Sequence, residues 1–254
     1  MTQPAALVLA GSRGPGDPLA VHAGVSHKAM IEVGGEPMLA RVARALAEAG
    51  YARVVVVIER PELVEQLADE GRFPPTVVVE TLPAAEGPSL SVAQALERLG
   101  TPLLVTTADH ALLRPEWVRW FVDHVPEGAD VAAALARSDL VMAAAPEARR
   151  TFLRFSDGAF SGCNLFYFAT PAAHRAVGLW REVEAHRKQP VKLLRRLGLV
   201  TAVRYALGAL PLSAALARLG ALAGVRCAVV EMPFGEAAID VDKPEDLALA
   251  RRLA

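Results

Sequence analysis

Three segments of this chain carry residue types and spacings suited to handling a polyanion. The first is Gly11-Ser12-Arg13-Gly14, which follows the apolar run Ala5-Ala6-Leu7-Val8-Leu9-Ala10. A short buried strand running into a glycine-rich loop points backbone N–H groups at an anion. Arg13 adds fixed charge to that loop, and Lys28 follows. Backbone donors fix position while cations neutralise charge, which suits a substrate with several phosphates. The second segment is Thr107-Ala108-Asp109, after the buried run Leu103-Leu104-Val105. Asp109 is therefore expected at the carboxyl end of a central strand, where open α/β sheets bind ligands. A carboxylate facing a triphosphate repels it unless a hard cation intervenes, and Mg²⁺ held by one or two carboxylates and the phosphates resolves the conflict. The alternative is an Asp that caps the following turn. The third segment, Asp240-Val241-Asp242, alternates along an extended stretch, so both carboxylates fall on one side and reach one cation.

The elements needed to position these residues are legible as an alternation of β-rich runs and helical patterns, the mark of an α/β protein with a mostly parallel sheet. Strands are expected at Ala5–Ala10, Arg53–Ile58, Thr76–Glu80, Pro102–Thr106 and Asp130–Ala136. Helices are expected at Pro37–Ala49, Pro61–Glu70, Pro88–Leu99 and Pro115–His124, each opened by proline. After Ala136 the rhythm changes. Thr151–Phe155 and Asn164–Ala169 read as strands of a hairpin, and Thr170-Pro171 caps a helix to about Ala185. Pro190–Ala223 is a Leu/Ala/Arg-rich helical insert, Arg226–Glu231 a last strand, and Pro244 starts the closing helix. The expected whole is a single domain over residues 1–254, with 137–224 as an acceptor-side subregion carrying the insert.

Composition narrows the classes. A formal net charge of −1 argues against general nucleic-acid binding. No apolar run approaches the roughly 18 residues that span a bilayer, and Met-Thr-Gln-Pro lacks a cationic signal region, so a cytoplasmic location is expected. Cys163 and Cys227 suggest neither a disulfide framework nor a zinc site.

Taken in order, Leu9-Ala10-Gly11-Ser12-Arg13-Gly14, Lys28, Gly34-Gly35-Glu36-Pro37-Met38-Leu39, Thr107-Ala108-Asp109 and Ile239-Asp240-Val241-Asp242-Lys243-Pro244-Glu245-Asp246-Leu247 resemble one family. It is that of the nucleoside-triphosphate transferases related to molybdenum cofactor guanylyltransferase and to the cytidylyltransferases of isoprenoid synthesis. The resemblance implies a three-layer, glycosyltransferase-A-like (Rossmann-like) α/β fold with a helical insert. It implies that Ala10, Gly11, Ser12, Arg13 and Gly14 wrap the triphosphate and that Lys28 touches the phosphates near the scissile bond. Asp109 would be joined at the metal by the 240–242 segment, with Asp240 favoured and Asp242 the alternative cap of the last helix. Gly87 and Ser89 would lie near the base, unless Ser89 only caps its helix. Asn164 is either a donor to the acceptor or a buried, satisfied amide, and His110 is structural. The implied chemistry is Mg²⁺-dependent transfer of a nucleotidyl group, from CTP or GTP, to a phosphorylated acceptor.

Two features pull elsewhere. Gly11-x-x-Gly14-x-Gly16 echoes a dinucleotide fingerprint, but its spacing is wrong, and Pro15 with Pro18 opposes a helix starting there. A sugar transferase of this fold would carry Asp-x-Asp where Asp109-His110-Ala111 stands, and a nucleotide sensor without chemistry would not need Lys28, Asp109 and Asp240 together. Residues 181–207 combine Arg181, Arg187, Lys188, Lys192, Arg195 and Arg196 with an apolar continuation. That stretch is either a solvated basic face beside a core helix or a contact for a lipid-like acceptor or membrane surface.

Overall fold

The computed structural model describes residues 5–12, 16–185 and 198–254. The first half runs β1 (Ala5–Leu9), α1 (Pro18–Ala23), a 3-10 turn (Lys28–Met30), β2 (Glu32–Val33), β3 (Glu36–Pro37), α2 (Met38–Glu48), β4 (Arg53–Ile58), α3 (Glu62–Asp69), β5 (Val78–Pro83) and α4 (Pro88–Leu99). Next come β6 (Leu103–Thr107), α5 (Pro115–Asp123), β7 (Val131–Arg137), α6 (Ser138–Ala144), β8 (Leu153–Phe155), β9 (Gly158–Phe168) and α7 (Ala173–Ala185). The chain ends with α8 (Leu199–Ala206), α9 (Leu212–Ala223), β10 (Cys227–Met232), a 3-10 turn (Gly235–Ala238) and α10 (Pro244–Leu253).

Eight strands form one sheet in the order β10-β7-β9-β6-β1-β4-β5, with β8 paired to β9. β5, β4, β1 and β6 run parallel, β9 is antiparallel to both β6 and β7, and β10 is parallel to β7. Successive side chains of a strand point to opposite faces, and β1 shows it. Leu7 packs with Val55, Leu96 and Val177 under α4 and α7, whereas Val8 packs with Val56, Leu46 and Trp117 under α2 and α5. Helices on both faces give three layers, and β4 is buried from Val54 to Ile58 because both its faces are covered. Helix α2 buries Leu39, Val42, Ala43 and Leu46, one stripe of a 3.6-residue period, and stops before Gly50, whose φ of 105° suits glycine.

The structure corrects several sequence expectations. A helix does start at Pro18: proline at the first helical position loses no hydrogen bond, and Asp17 caps it through Leu19 N–H and Ala20 N–H at 3.0 and 3.1 Å. The strand expected at Thr76–Glu80 runs from Val78 to Pro83. Strand β9 begins at Gly158, and Ser161-Gly162-Cys163-Asn164 lie inside it, with Ser161 and Gly162 paired to Ala136 and Leu135. A register shift between Ala133 and Leu135 breaks that ladder beside Asn164, whose φ is 49°. The irregularity hides the first half of the strand, expected from the sequence to begin only at Asn164. Asp242 is not the cap of α10: Lys243 holds that position, and Asp246 accepts from Lys243 N–H at 3.0 Å. The insert contributes α8 and α9; residues 190–197, also part of that expectation, lie outside the described residues.

Candidate active site

The candidate residues gather where β1 and β6 end side by side, Leu9 opposite Thr107. Past the ladder, Ala108 N–H still bonds Leu9 O at 2.9 Å, and Ala10 N–H bonds Val57 O at 2.9 Å. Val241 N–H donates to Asp109 O at 3.0 Å, which fastens the 239–242 segment to the end of β6. Ala10, Asp109 and the segment before α10 are thereby set by backbone geometry.

Lys28 enters from the other side on its 3-10 turn. Its ammonium lies 2.7 Å from Asp109 Oδ2 and 2.7 Å from Asp242 Oδ1. Thr107 Oγ1 donates to Asp109 Oδ1 at 2.5 Å. Burial pushes the Asp109 carboxyl above its ordinary range, against the pull of Lys28 and Thr107. Burial also works against the Lys28 ammonium, but the two carboxylates outweigh it and hold that group above its usual value.

Asp240 and Asp242 do not share a partner as their alternation suggested. Asp242 faces Lys28, while Asp240 turns to Arg150, whose Nη1 and Nη2 both donate to it, the latter at 3.0 Å. Asn164 Nδ2 donates to Asp240 Oδ2 at 2.8 Å. Burial disfavours the Asp240 carboxylate, yet Arg150 and Asn164 prevail and keep it below the usual carboxylate range. Two charge clusters thus adjoin: Lys28 between Asp109 and Asp242, and Asp240 between Arg150 and Asn164. Among the described residues, no three His, Cys, Asp or Glu side chains converge on one metal position. Asp109 and Asp242 do converge on a common cation, the Lys28 ammonium, and are hard oxygen donors of the kind Mg²⁺ takes.

Two cavities flank the glycine loop, both lined by Gly11 and Ser12. One, about 320 Å³, adds Asp17, Lys28, Asp242 and Lys243. The other, about 520 Å³, adds Glu59, Gly87, Ser91, Thr107 and Asp109. Together they open at the carboxyl ends of the parallel strands, as expected of such sheets. Gly87 occupies the cap position of α4, so Ser89 is not the cap. Ser89 N–H instead donates to Glu184 Oε2 at 3.2 Å, its hydroxyl meets the same oxygen, and a Cβ on Gly87 would stand 2.6 Å from Glu184 Oε1. Arg13 and Gly14 lie outside the described residues.

Other side chains sort themselves. His110 is 1% exposed and stacks on Trp117 with ring centroids 6.1 Å apart; burial lowers its pKa to about 4, as in a neutral core histidine. Arg150, Glu184 and His27 escaped the sequence reading. Glu59 left a signal only as the acidic residue that follows the β-branched run of β4. Glu184 and Arg150 reach their partners across 95 and 90 positions, beyond any local pattern.

Comparison with known proteins identifies the family and the fold. The model of the MobA-like NTP transferase domain family matches residues 6–223. A hypothetical transferase of Thermus thermophilus is 34% identical, with a TM-score of 0.82 over 97% of this chain and 100% of that one. The 4-diphosphocytidyl-2C-methyl-D-erythritol synthase of Anaerococcus prevotii shares the fold at 10% identity and TM-score 0.60, over 98% of this chain and 94% of that one. A nucleotidyl transferase of Methanothermobacter shares it at 16% identity and TM-score 0.54, over 99% and 98%. No curated protein sequence matches the chain. With the model matched over most of its length, the chain belongs to the family of MobA-like NTP transferase domains.

Proposed function

We propose that this protein is a Mg²⁺-dependent nucleotidyltransferase that moves a nucleoside monophosphate from CTP or GTP to a phosphorylated small-molecule or lipid-like acceptor. The observation that carries the reading is the Lys28 ammonium held by Asp109 and Asp242 beside the glycine loop. An acceptor phosphate oxygen attacks the α-phosphorus in line, the bond to the β-phosphate oxygen breaks, and pyrophosphate leaves. A phosphate acceptor is already ionised near neutral pH, so no general base is needed, and positioning with charge neutralisation carries the catalysis. Asp109 and Asp242 suit Mg²⁺, which when bound neutralises phosphate charge. Lys28 then serves the α-phosphate, Arg13 and the loop amides other than that of Ser12 the β- and γ-phosphates, and Gly87 borders the base with Ser89 held behind it by Glu184. Asn164 and Arg150, clamped on Asp240, face the acceptor.

Thermal stabilisation tests this directly. Ligand at about 100 times its dissociation constant adds roughly 2.7 kcal/mol of stability. One of CTP and GTP is expected to raise Tm in a Mg²⁺-dependent way, with little effect from the other bases, NAD or NADP. A shift with NAD or a sugar nucleotide, and none with any NTP, would mean the glycine loop serves another ligand.

The exposed face of α8 favours an acceptor with an apolar tail. Leu199, Val200 and Leu207 are 78%, 74% and 76% exposed, next in sequence to the basic stretch beginning at Arg181. An anionic headgroup with a greasy tail matches both features.

A further inference from the structure

We propose that Glu59 is a positioning residue that locks the glycine loop and the Lys28 turn into one unit; the inference rests on the reading of the cleft as a nucleotide site. Glu59 stands just past the end of β4 and lines the larger cavity. Its Oε1 accepts Ser12 N–H at 3.2 Å, and Oε2 lies 3.3 Å from the same nitrogen. The same Oε1 lies 3.1 Å from His27 Nε2.

His27 fixes its own tautomer. Its Nδ1 accepts Ala29 N–H at 3.1 Å and so carries no proton, which leaves the ring proton on Nε2 to be donated to Glu59. The imidazole is 2% exposed and caps the 3-10 turn whose first residue is Lys28. A continuous path therefore runs from Ser12 through Glu59 and His27 to the backbone that aims Lys28 at Asp109 and Asp242.

This path explains why a carboxylate is tolerated beside a loop that receives phosphates. Glu59 is already engaged by two N–H donors, and the Ser12 amide it holds is spent on shaping the loop. Hydrogen bonds to a charged group are stronger than neutral ones, and second-layer bonds of this kind orient the groups that touch substrate.

The test compares Glu59→Gln with Glu59→Ala in the full chain, using Mg²⁺ with the NTP that the unmodified protein binds and amide hydrogen exchange without nucleotide. Glutamine keeps an acceptor oxygen at the Oε1 position, so Glu59→Gln should retain NTP affinity within about threefold, whereas Glu59→Ala should lose at least about tenfold, the loss expected for missing hydrogen bonds to a charge. Exchange should speed up in residues 10–12 and 27–30 together in Glu59→Ala, with the central strands unchanged, and neither segment should speed up in Glu59→Gln. Equal or tighter NTP binding by Glu59→Ala would overturn the proposal, because the carboxylate would then be repelling phosphate rather than holding the loop. Exchange that rises in only one of the two segments would overturn it as well. If the unmodified protein binds no NTP, the reading of the cleft fails by itself, and the exchange result still decides whether Glu59 couples the two segments.

Discussion

A lysine between two carboxylates, with one carboxylate buried against its preference, is the residue-scale signature of this protein. The Asp109 pKa is raised by burial, so its ionised form costs folding energy even while it pairs with the Lys28 ammonium. The sign follows: a carboxyl whose folded pKa exceeds its unfolded value makes the folded state gain stability as pH falls through that interval. Asp109→Asn removes this penalty. With EDTA present, the variant is expected to unfold at higher urea than the unmodified protein at pH 8, and the advantage should vanish below the unfolded carboxylate pKa of about 4. An advantage that grew toward low pH would reverse the assignment. Transfer activity should fall by about a thousandfold or more in the same variant, the cost of removing a preorganised charge at a reacting centre. Lys28 and Asp109 were legible in the sequence because strand-end position and local motif mark them. Arg150 and Glu184 were not, since only the folded topology brings them to Asp240 and Ser89.

Elements set the walls of the cleft, and α1 shows how little structure that takes. Its 6 residues are too few to be stable in isolation, yet Asp17, Pro18 and Leu19 line the smaller cavity. The Asp17 carboxylate, 8% exposed, takes the N–H groups of Leu19 and Ala20 that no helical carbonyl can take. Asp17→Ala should cost about 1 kcal/mol in urea unfolding and weaken NTP binding through the displaced wall; stability loss with unchanged NTP affinity would separate α1 from the site. Proline-initiated helices were legible because proline at the first turn is a local signal, and Pro88–Leu99 matches its expected bounds. The same local logic misjudged Pro18, where the cap rather than the proline decides, and began β9 only at Asn164, where the break in pairing hides a continuous strand.

At the scale of the whole molecule, the sheet separates two groups of candidate residues. Parallel β4, β1 and β6 end at the glycine loop, Glu59 and Asp109, while β9, β7 and β10 carry Asn164 and the connections to α8 and α9. That division was readable as a change of rhythm after Ala136, but the antiparallel insertion of β9 between β6 and β7 was not, because pairing partners far apart in sequence leave no periodic trace. Leu199 and Val200 of α8 and Leu207 just past its end stand in water, while Tyr205 meets Phe155 of β8 with ring centroids 5.7 Å apart. No residue of this helix is buried, and its exposed surface is largely apolar. No helix among the described residues is long and apolar enough to cross a membrane. Each basic residue near an anionic surface adds about 1 kcal/mol, and that attraction is screened within roughly 8 Å at physiological salt. The protein is expected to sediment with phosphatidylglycerol vesicles at low salt and to be released at high salt. Leu199→Ser, Val200→Ser and Leu207→Ser combined should abolish sedimentation while leaving NTP stabilisation intact, because none of the three lines either cavity. Failure of the unmodified protein to bind such vesicles even at low salt would remove the membrane surface and leave a soluble, phosphorylated acceptor.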